Sequence, residues 1–552
     1  MKVVIIGGVA AGPKAASRIL RLCPEAEVTI IEKGEFLSYA GCGLPYYISG
    51  AVKEQSELMA TPVGTVRDSV FFQKVKNVRV LNHTEALDIN RDAKTVRVKN
   101  RDNGEQILAY DKLILATGAN PVKPNFPGKD LKNIFSLKGV EDAEGIRAKL
   151  KKHKALDAVI VGGGLIGVEM AESLIETGCR VTIVELLPQI LTILDPEMAR
   201  VVEKYCESKG IKIMTGTKVL GFEGAESVEA VSTDKGNVTA DFVILSIGVR
   251  PCVELAQKSG INIGPTGAIA VDSFMLTSDP DVYAAGDCAE KKHLITGKPC
   301  FIPLGSTANK EGRVAANHIC GQSDFFPGVI GSTVCRIFDF SVARTGLGEQ
   351  EAKACGYDPV CCLSPSPDRA HFMPEAKPLF LKVIADRKSR KILGLQATGP
   401  GVADKRIDIA ATAITANMTV DQVAQLDLCY APPYSPAVDN IITAANIIRN
   451  KIDGLFTGIK PSEVKKRLEA GEDFTFLDVR GPAEVEQMPI KGAINIPLGQ
   501  LRSRINELDR NKPVVAFCKI SLRGYEAAII LKHNGFKDVE VMDGGILMWM
   551  NQ

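Results

Sequence analysis

The chain has 552 residues, 45% of them hydrophobic and 24% charged, with a formal net charge of +2; at roughly 150 residues per domain it is expected to hold about three to five domains with separate cores. So balanced a charge gives no global pull toward nucleic acid or an anionic membrane, and no apolar run reaches the ~20 residues of a membrane-spanning helix, so neither partner is expected. The opening MKVVII runs directly into Gly7-Gly8 without the regions of a signal peptide, and the expected location is the cytoplasm.

In that reducing setting the fourteen cysteines, which form no CxxC pair or metal-ligand spacing, read mostly as buried thiols; no metal site is expected. The basic run Lys149 to Lys154 reads as a solvated helix end.

Lys2 to Ile6 is a β-branched run that ends in Gly7-Gly8-Val9-Ala10-Ala11-Gly12 and leads into a helical stretch from Pro13 to Leu22. Glycines at such a strand–turn–helix junction let the backbone approach a pyrophosphate, which then rests on the helix N-terminus. Val9 stands where GxGxxG has its middle glycine. Glu32 closes the next strand, Val28 to Ile31, at the distance where a carboxylate can take a ribose hydroxyl, with Lys33 beside it. On the helix, Lys14, Arg18 and Arg21 fall on one face and form a basic stripe, either a solvated face or a site for phosphates.

Next comes Ser38-Tyr39-Ala40-Gly41-Cys42-Gly43-Leu44-Pro45-Tyr46-Tyr47, in which Cys42 has no second cysteine within five residues. Gly43 and Pro45 suit a helix start just after it, where the helix dipole is expected to lower the thiol pKa and make Cys42 a nucleophile. A second dinucleotide signature follows. Ala158 to Val161 leads into Gly162-Gly163-Gly164-Leu165-Ile166-Gly167, all three glycine positions match, and Val181 to Val184 ends in Glu185, which favours NADH over NADPH. Leu113 to Gly118 (with Thr117), Leu245 to Gly248, and Val282 to Asp287 accompany these units.

Beyond Gly401 to Asp408 and Tyr430-Ala431-Pro432-Pro433-Tyr434-Ser435, a linker with Gly454 and Gly458 introduces a tail expected to fold independently. Its Cys518-Lys519-Ile520-Ser521-Leu522-Arg523 loop precedes a helix, so backbone N–H groups can surround the sulfur while Lys519 and Arg523 add positive charge.

In their order these motifs resemble the flavoprotein disulfide reductases, from residue 1 to about residue 445. SYAGCGLPYY resembles the single-cysteine branch that contains coenzyme A disulfide reductases and NADH-dependent persulfide reductases, and the tail resembles a rhodanese through Phe474 to Arg480, Gly492 to Pro497, Cys518 to Arg523 and Asp543-Gly544-Gly545. The resemblance implies an α/β protein with two nested Rossmann-like domains, FAD at 1–112 and 252–325 and NAD at 113–251. An α+β dimerisation domain at 326–448, a linker at 449–460 and a rhodanese-like α/β domain at 461–552 would follow.

The same resemblance implies a homodimer that uses FAD, NADH and coenzyme A. FAD would meet Gly7, Gly8, Ala11, Gly12, Glu32, Lys33, Thr117, Gly118, Asp287 and Ala308. NADH would meet Gly162, Gly164, Ile166, Gly167, Glu185 and Gly248. Low-molecular-weight thiol persulfides or disulfides would meet Lys14, Arg18, Arg21, Ser38 and Lys519. Catalysis would fall to Cys42, Cys518, Arg523 and Tyr434, the last reaching the partner subunit's cysteine unless it is a packed turn aromatic.

Three positions depart from the family pattern. Gly41 replaces an asparagine, His371-Phe372-Met373-Pro374 replaces tyrosines of the coenzyme A disulfide reductases, and Pro489 replaces a histidine of rhodaneses. Fusion with a sulfur-carrying module favours a persulfide substrate over a plain disulfide. An NADH oxidase or peroxidase cycling Cys42 through sulfenic acid, and a sulfur-relay or redox-sensing protein without turnover, are the competing expectations.

Overall fold

Lys2–Ile6 forms the centre of a five-stranded parallel sheet in the order Val282–Ala284, Lys112–Leu115, Lys2–Ile6, Glu27–Ile31, Arg79–Leu81. Val3, Val4, Ile5 and Ile6 are each at most 6% exposed, because a parallel sheet covered on both faces needs apolar side chains on both; hence the unbroken apolar run rather than an alternating one. The computed structural model describes residues 1–152 and 155–551. Of the basic run, Lys149 and Lys151 lie on the helix Val140–Lys152, and residues 153 and 154 are outside the described residues.

A second parallel sheet repeats the plan: Lys212–Met214, Arg180–Val184, Asp157–Val161, Phe242–Leu245, Ile134–Ser136. In each sheet the glycine turn follows the central strand and opens a helix, Ala11–Leu22 in the first and Leu165–Glu176 in the second. Antiparallel three-stranded sheets are appended to both. Together they form the first of two compact units, Met1–Pro188 with Gly210–Val329.

The second unit is Gln189–Lys209 with Ile330–Gln552. Its first half is a five-stranded antiparallel sheet, Thr333–Ile337, Phe340–Gly346, Ile392–Gly399, Pro378–Asp386, Pro359–Pro367, with the helices Asp404–Thr415 and Asn440–Ile452 against it. Its second half is a parallel sheet in the order Thr457–Ile459, Val539–Met542, Val514–Phe517, Thr475–Asp478, Ile494–Asn495.

Three expected boundaries differ from this architecture. The break at 112/113 falls inside the strand Lys112–Leu115, which pairs with Lys2–Ile6 and Val282–Ala284 and so belongs to the first sheet. The helix Pro196–Ser208, expected within the NAD domain, belongs to the second unit. Asp195 and Glu197 pair there with Lys382, and Tyr205 stacks on Phe340 at 4.4 Å. The expected linker 449–460 contains the end of the helix Asn440–Ile452 and an edge strand of the last sheet.

Candidate active sites

The two glycine turns are built alike. Gly7 has φ +115° and Gly162 φ +105°, a left-handed region that glycine enters without steric penalty. A Cβ on Gly12 would lie 1.9 Å from the Gly7 carbonyl oxygen, and one on Gly167 would lie 2.1 Å from that of Gly162, so strand and helix meet only because both are glycine. The acidic residues close the same circuit in both copies. Gly8 and Gly34 N–H donate to Glu32 at 2.7 and 2.8 Å, and Gly163 and Leu187 N–H donate to Glu185 at 2.7 and 2.8 Å.

Around the first turn the residues fit an FAD. Asp287 Oδ1 is buried with no hydrogen-bond partner among the described residues, an acceptor waiting for a donor such as a ribityl hydroxyl. Ala11, Ala285 and Ala308 pack as one small-residue cluster, and a Cβ on Gly312 would lie 2.4 Å from the Ala11 carbonyl oxygen. Around the second turn, nothing lies within 4 Å of a Cβ built on Gly164, which leaves room at the helix start for a second pyrophosphate. Ile166 is 40% exposed beside it.

Thr117 Oγ1 donates to the Cys252 carbonyl at 2.7 Å, Gly118 and Gly248 take positive φ, and Lys33 pairs with Glu85 at 2.8 Å. Ser38 has φ +49° and its N–H donates to the Gly8 carbonyl at 2.8 Å. The basic stripe is only partly free: Lys14 and Arg21 are exposed, whereas Arg18 Nε donates to Asn317 at 2.6 Å.

Cys42 occupies a 3-10 turn, Gly41–Gly43, that runs into the short helix Leu44–Ser49, and the residue as a whole is exposed. The expected helix start is present, but the protein's own groups move the thiol pKa the other way. Burial raises it most, and the Glu169 and Asp287 carboxylates raise it further, against a lowering by a backbone hydrogen bond. Glu169, two residues beyond Gly167, is itself pushed up to about 7 by burial and by Glu172.

Beneath Asp287 lies a buried pair that sequence reasoning did not single out. Lys291 Nζ donates to the Gly286 and Ala289 carbonyls at 2.9 Å and stands 3.4 Å from Glu311, while Gly286 N–H donates to Glu311 at 2.7 Å. Burial raises Glu311 to about 7 despite Lys291. No spacing rule links these residues; only the packing of the helix Gly305–Ile319 under the loop does.

In the second unit Cys518 is 1% exposed, at the end of the strand Val514–Phe517, and Lys519 is exposed beside it. Ser521 has φ +87° before the helix Leu522–His533. Arg523 forms a two-pronged pair with Glu484 at 2.6 and 2.7 Å and interacts with Cys518. The Arg523 hydrogen bond holds Glu484 down at about 2. Glu484 had no sequence signal, since it lies on a different helix, Pro482–Gln487. Tyr434 sits on the turn after Tyr430 and is 72% exposed rather than packed.

Comparison with known families gives three matches in order. Residues 1–312 match the pyridine nucleotide-disulphide oxidoreductase model, 333–442 its dimerisation domain, and 460–552 the rhodanese-like domain. A CoA-dependent NAD(P)H sulfur oxidoreductase of Pyrococcus abyssi is 40% identical over 448 residues, 81% of this chain and 98% of that protein. The solved structure of an NAD-dependent persulfide reductase from A. fulgidus is 44% identical with a TM-score of 0.95 over all of both chains. That of reduced CoADR-RHD from Bacillus anthracis is 37% identical with a TM-score of 0.94, over all of this chain and 98% of the other.

Proposed function

Because the chain belongs to the pyridine nucleotide-disulphide oxidoreductases, we propose that it is a cytoplasmic, homodimeric NADH-dependent reductase of coenzyme A persulfide or polysulfide, with coenzyme A disulfide as a secondary substrate. The observation that carries this reading is an exposed cysteine, Cys42, near the half-buried Asp287 carboxylate, in the same polypeptide as a second thiol, Cys518, set in an arginine-bearing loop.

A bound FAD would supply two-electron redox chemistry, with NADH as the hydride source, beside Cys42. Gly7, Gly8, Ala11, Gly12, Glu32, Lys33, Thr117, Gly118, Asp287 and Ala308 would hold it, and Gly162, Gly164, Ile166, Gly167, Glu185 and Gly248 would hold the nicotinamide nucleotide. Lys14, Arg18, Arg21 and Ser38 serve the coenzyme A substrate. The Cys42 thiolate attacks the inner sulfur of a coenzyme A persulfide, forms a Cys42–S–S–coenzyme A bond and expels hydrosulfide. Two electrons and a proton then cleave that bond, regenerate the thiolate and release coenzyme A. Tyr434 donates the proton to the departing thiolate on the partner subunit's Cys42. Cys518 receives sulfane sulfur, and its persulfide anion is stabilised by Arg523 and Lys519.

Steady-state oxidation of NADH by coenzyme A persulfide, coenzyme A disulfide and oxygen tests the proposal. Persulfide turnover that vanishes in Cys42→Ser is expected. Faster turnover of coenzyme A disulfide would overturn the substrate preference, and thiol-independent consumption of oxygen matching NADH loss would select an oxidase.

A further inference from the structure

The last turn of the helix Asn440–Ile452 carries Lys451, whose Nζ donates to the Cys361 carbonyl at 2.7 Å and pairs with Asp543 at 2.5 Å; the two side chains are 8% and 11% exposed. Lys451 and Cys361 belong to the antiparallel half of the second unit and Asp543 to the half that carries Cys518. Gly458 makes the pair possible, since a Cβ there would lie 2.5 Å from Lys451 Nζ and 2.7 and 2.8 Å from the Asp543 carboxylate oxygens.

Asp543 begins the segment that braces the Cys518 loop. Its N–H donates to the Ile459 carbonyl at 2.9 Å. Gly544 and Gly545 follow with φ +72° and +55°, and a Cβ on Gly545 would lie 2.4 Å from the Cys518 carbonyl oxygen and 2.8 Å from Ile520 N. Ile546 N–H donates to the Cys518 carbonyl at 2.9 Å, Leu547 N–H to that of Lys519 at 3.2 Å, and Ser521 Oγ to that of Met542 at 3.0 Å. Three bonds from the segment Met542 to Leu547 therefore fix a loop whose Ser521 takes a left-handed conformation that L-residues adopt only when their surroundings hold them there.

We propose that Lys451 is a positioning residue for sulfur transfer at Cys518, acting through Asp543, so that the dimerisation domain sets the geometry of the rhodanese-like loop. The inference rests on the reading of Cys518 as the sulfur-carrying thiol. With thiosulfate as donor, the Cys518 thiolate takes the outer sulfur, sulfite leaves, and a Cys518 persulfide anion forms; cyanide then removes that sulfur as thiocyanate and restores the thiolate, with no net oxidation.

The test uses the full-length flavoprotein with thiosulfate and cyanide as probes. Lys451→Met is expected to lower kcat for sulfur transfer by about tenfold to a hundredfold, as a small misplacement of reacting groups does, while KM for thiosulfate and NADH-driven turnover at Cys42 hold. The double variant Lys451→Met/Asp543→Asn removes both charges, so no unpaired ion stays buried; it is expected to recover the melting temperature without recovering transfer. Recovery of both, or an unchanged kcat in Lys451→Met, would reduce Lys451 to a neutralising partner and overturn the inference. If Cys518→Ser transfers sulfur as fast as the unaltered enzyme, the assignment of Cys518 falls, and the inference with it.

Discussion

In the proposed reaction Cys42 is the nucleophile, and its neighbours set how readily its thiolate forms. The thiolate, not the thiol, is the nucleophile, and Glu169 and Asp287 oppose its formation. Glu169→Gln removes one of these charges, so the pKa of Cys42 is expected to fall and the pH profile of its alkylation to move to lower pH, read as the rate of iodoacetamide labelling in the flavin-free protein. An unmoved profile would mean that Glu169 exerts no field on the thiol. Cys42 was legible in the sequence because a lone cysteine after a dinucleotide strand is conspicuous. Glu169 was not, since one carboxylate on a helix looks like any solvated residue until burial pushes it up to about 7.

At the scale of elements, the two glycine turns share a plan but differ in which glycine is indispensable. Gly12 has the Gly7 carbonyl oxygen 1.9 Å from where a Cβ would stand, whereas Gly164 faces open space. Gly12→Ala is expected to lose bound flavin and about 1–3 kcal/mol of stability, the usual cost of overpacking, measured by the ratio of visible to protein absorbance and by thermal unfolding. Gly164→Ala is expected to keep flavin and stability and to raise KM for NADH, because its added methyl fills the room left for the pyrophosphate. Equal flavin loss in both variants would contradict this division. Strand, turn and acid were readable from spacing alone, because the constraint is local: each involves only the residues of one βαβ unit.

For the whole molecule the decisive group is Lys382, whose side chain has no exposure and which stands 2.7, 2.6 and 2.9 Å from Asp195, Glu197 and Glu349. Lys460, at the head of the rhodanese-like segment, adds bonds to Glu349 at 2.6 Å and Glu197 at 3.2 Å, and Lys353 adds one to Glu349 at 2.8 Å. Three segments distant in sequence are thereby joined: the helix Pro196–Ser208, the antiparallel sheet and the start of the last domain. Lys382→Met leaves Asp195 without a cation among the described residues and Glu197 and Glu349 with only the less buried Lys460 and Lys353, and since breaking a buried pair costs about 3–5 kcal/mol, a clear drop in the unfolding midpoint of the second unit is expected.

The same cluster sets an acid limit. Burial alone would raise Glu197 and Glu349, but Lys382 and Lys460 outweigh it and hold both below the usual range. Their contribution is therefore complete above the unfolded carboxylate value of about 4.3 and is lost as pH falls below it. Urea midpoints at stepped pH are expected to fall in that window, and to fall less in Lys382→Met.

The sequence by itself determined the two glycine-turn dinucleotide units and singled out two thiols, because strand composition and glycine turns are local properties, while the dimerisation and rhodanese-like domains were read from motifs that resemble a known family. The tertiary structure alone decided the pairing of Arg523 with Glu484, of Lys291 with Glu311 and of Lys382 with its carboxylates, and the transfer of the helix Pro196–Ser208 to the second unit. Those are choices about which buried charge meets which, and a charge leaves water only where a partner from elsewhere in the chain is already in place.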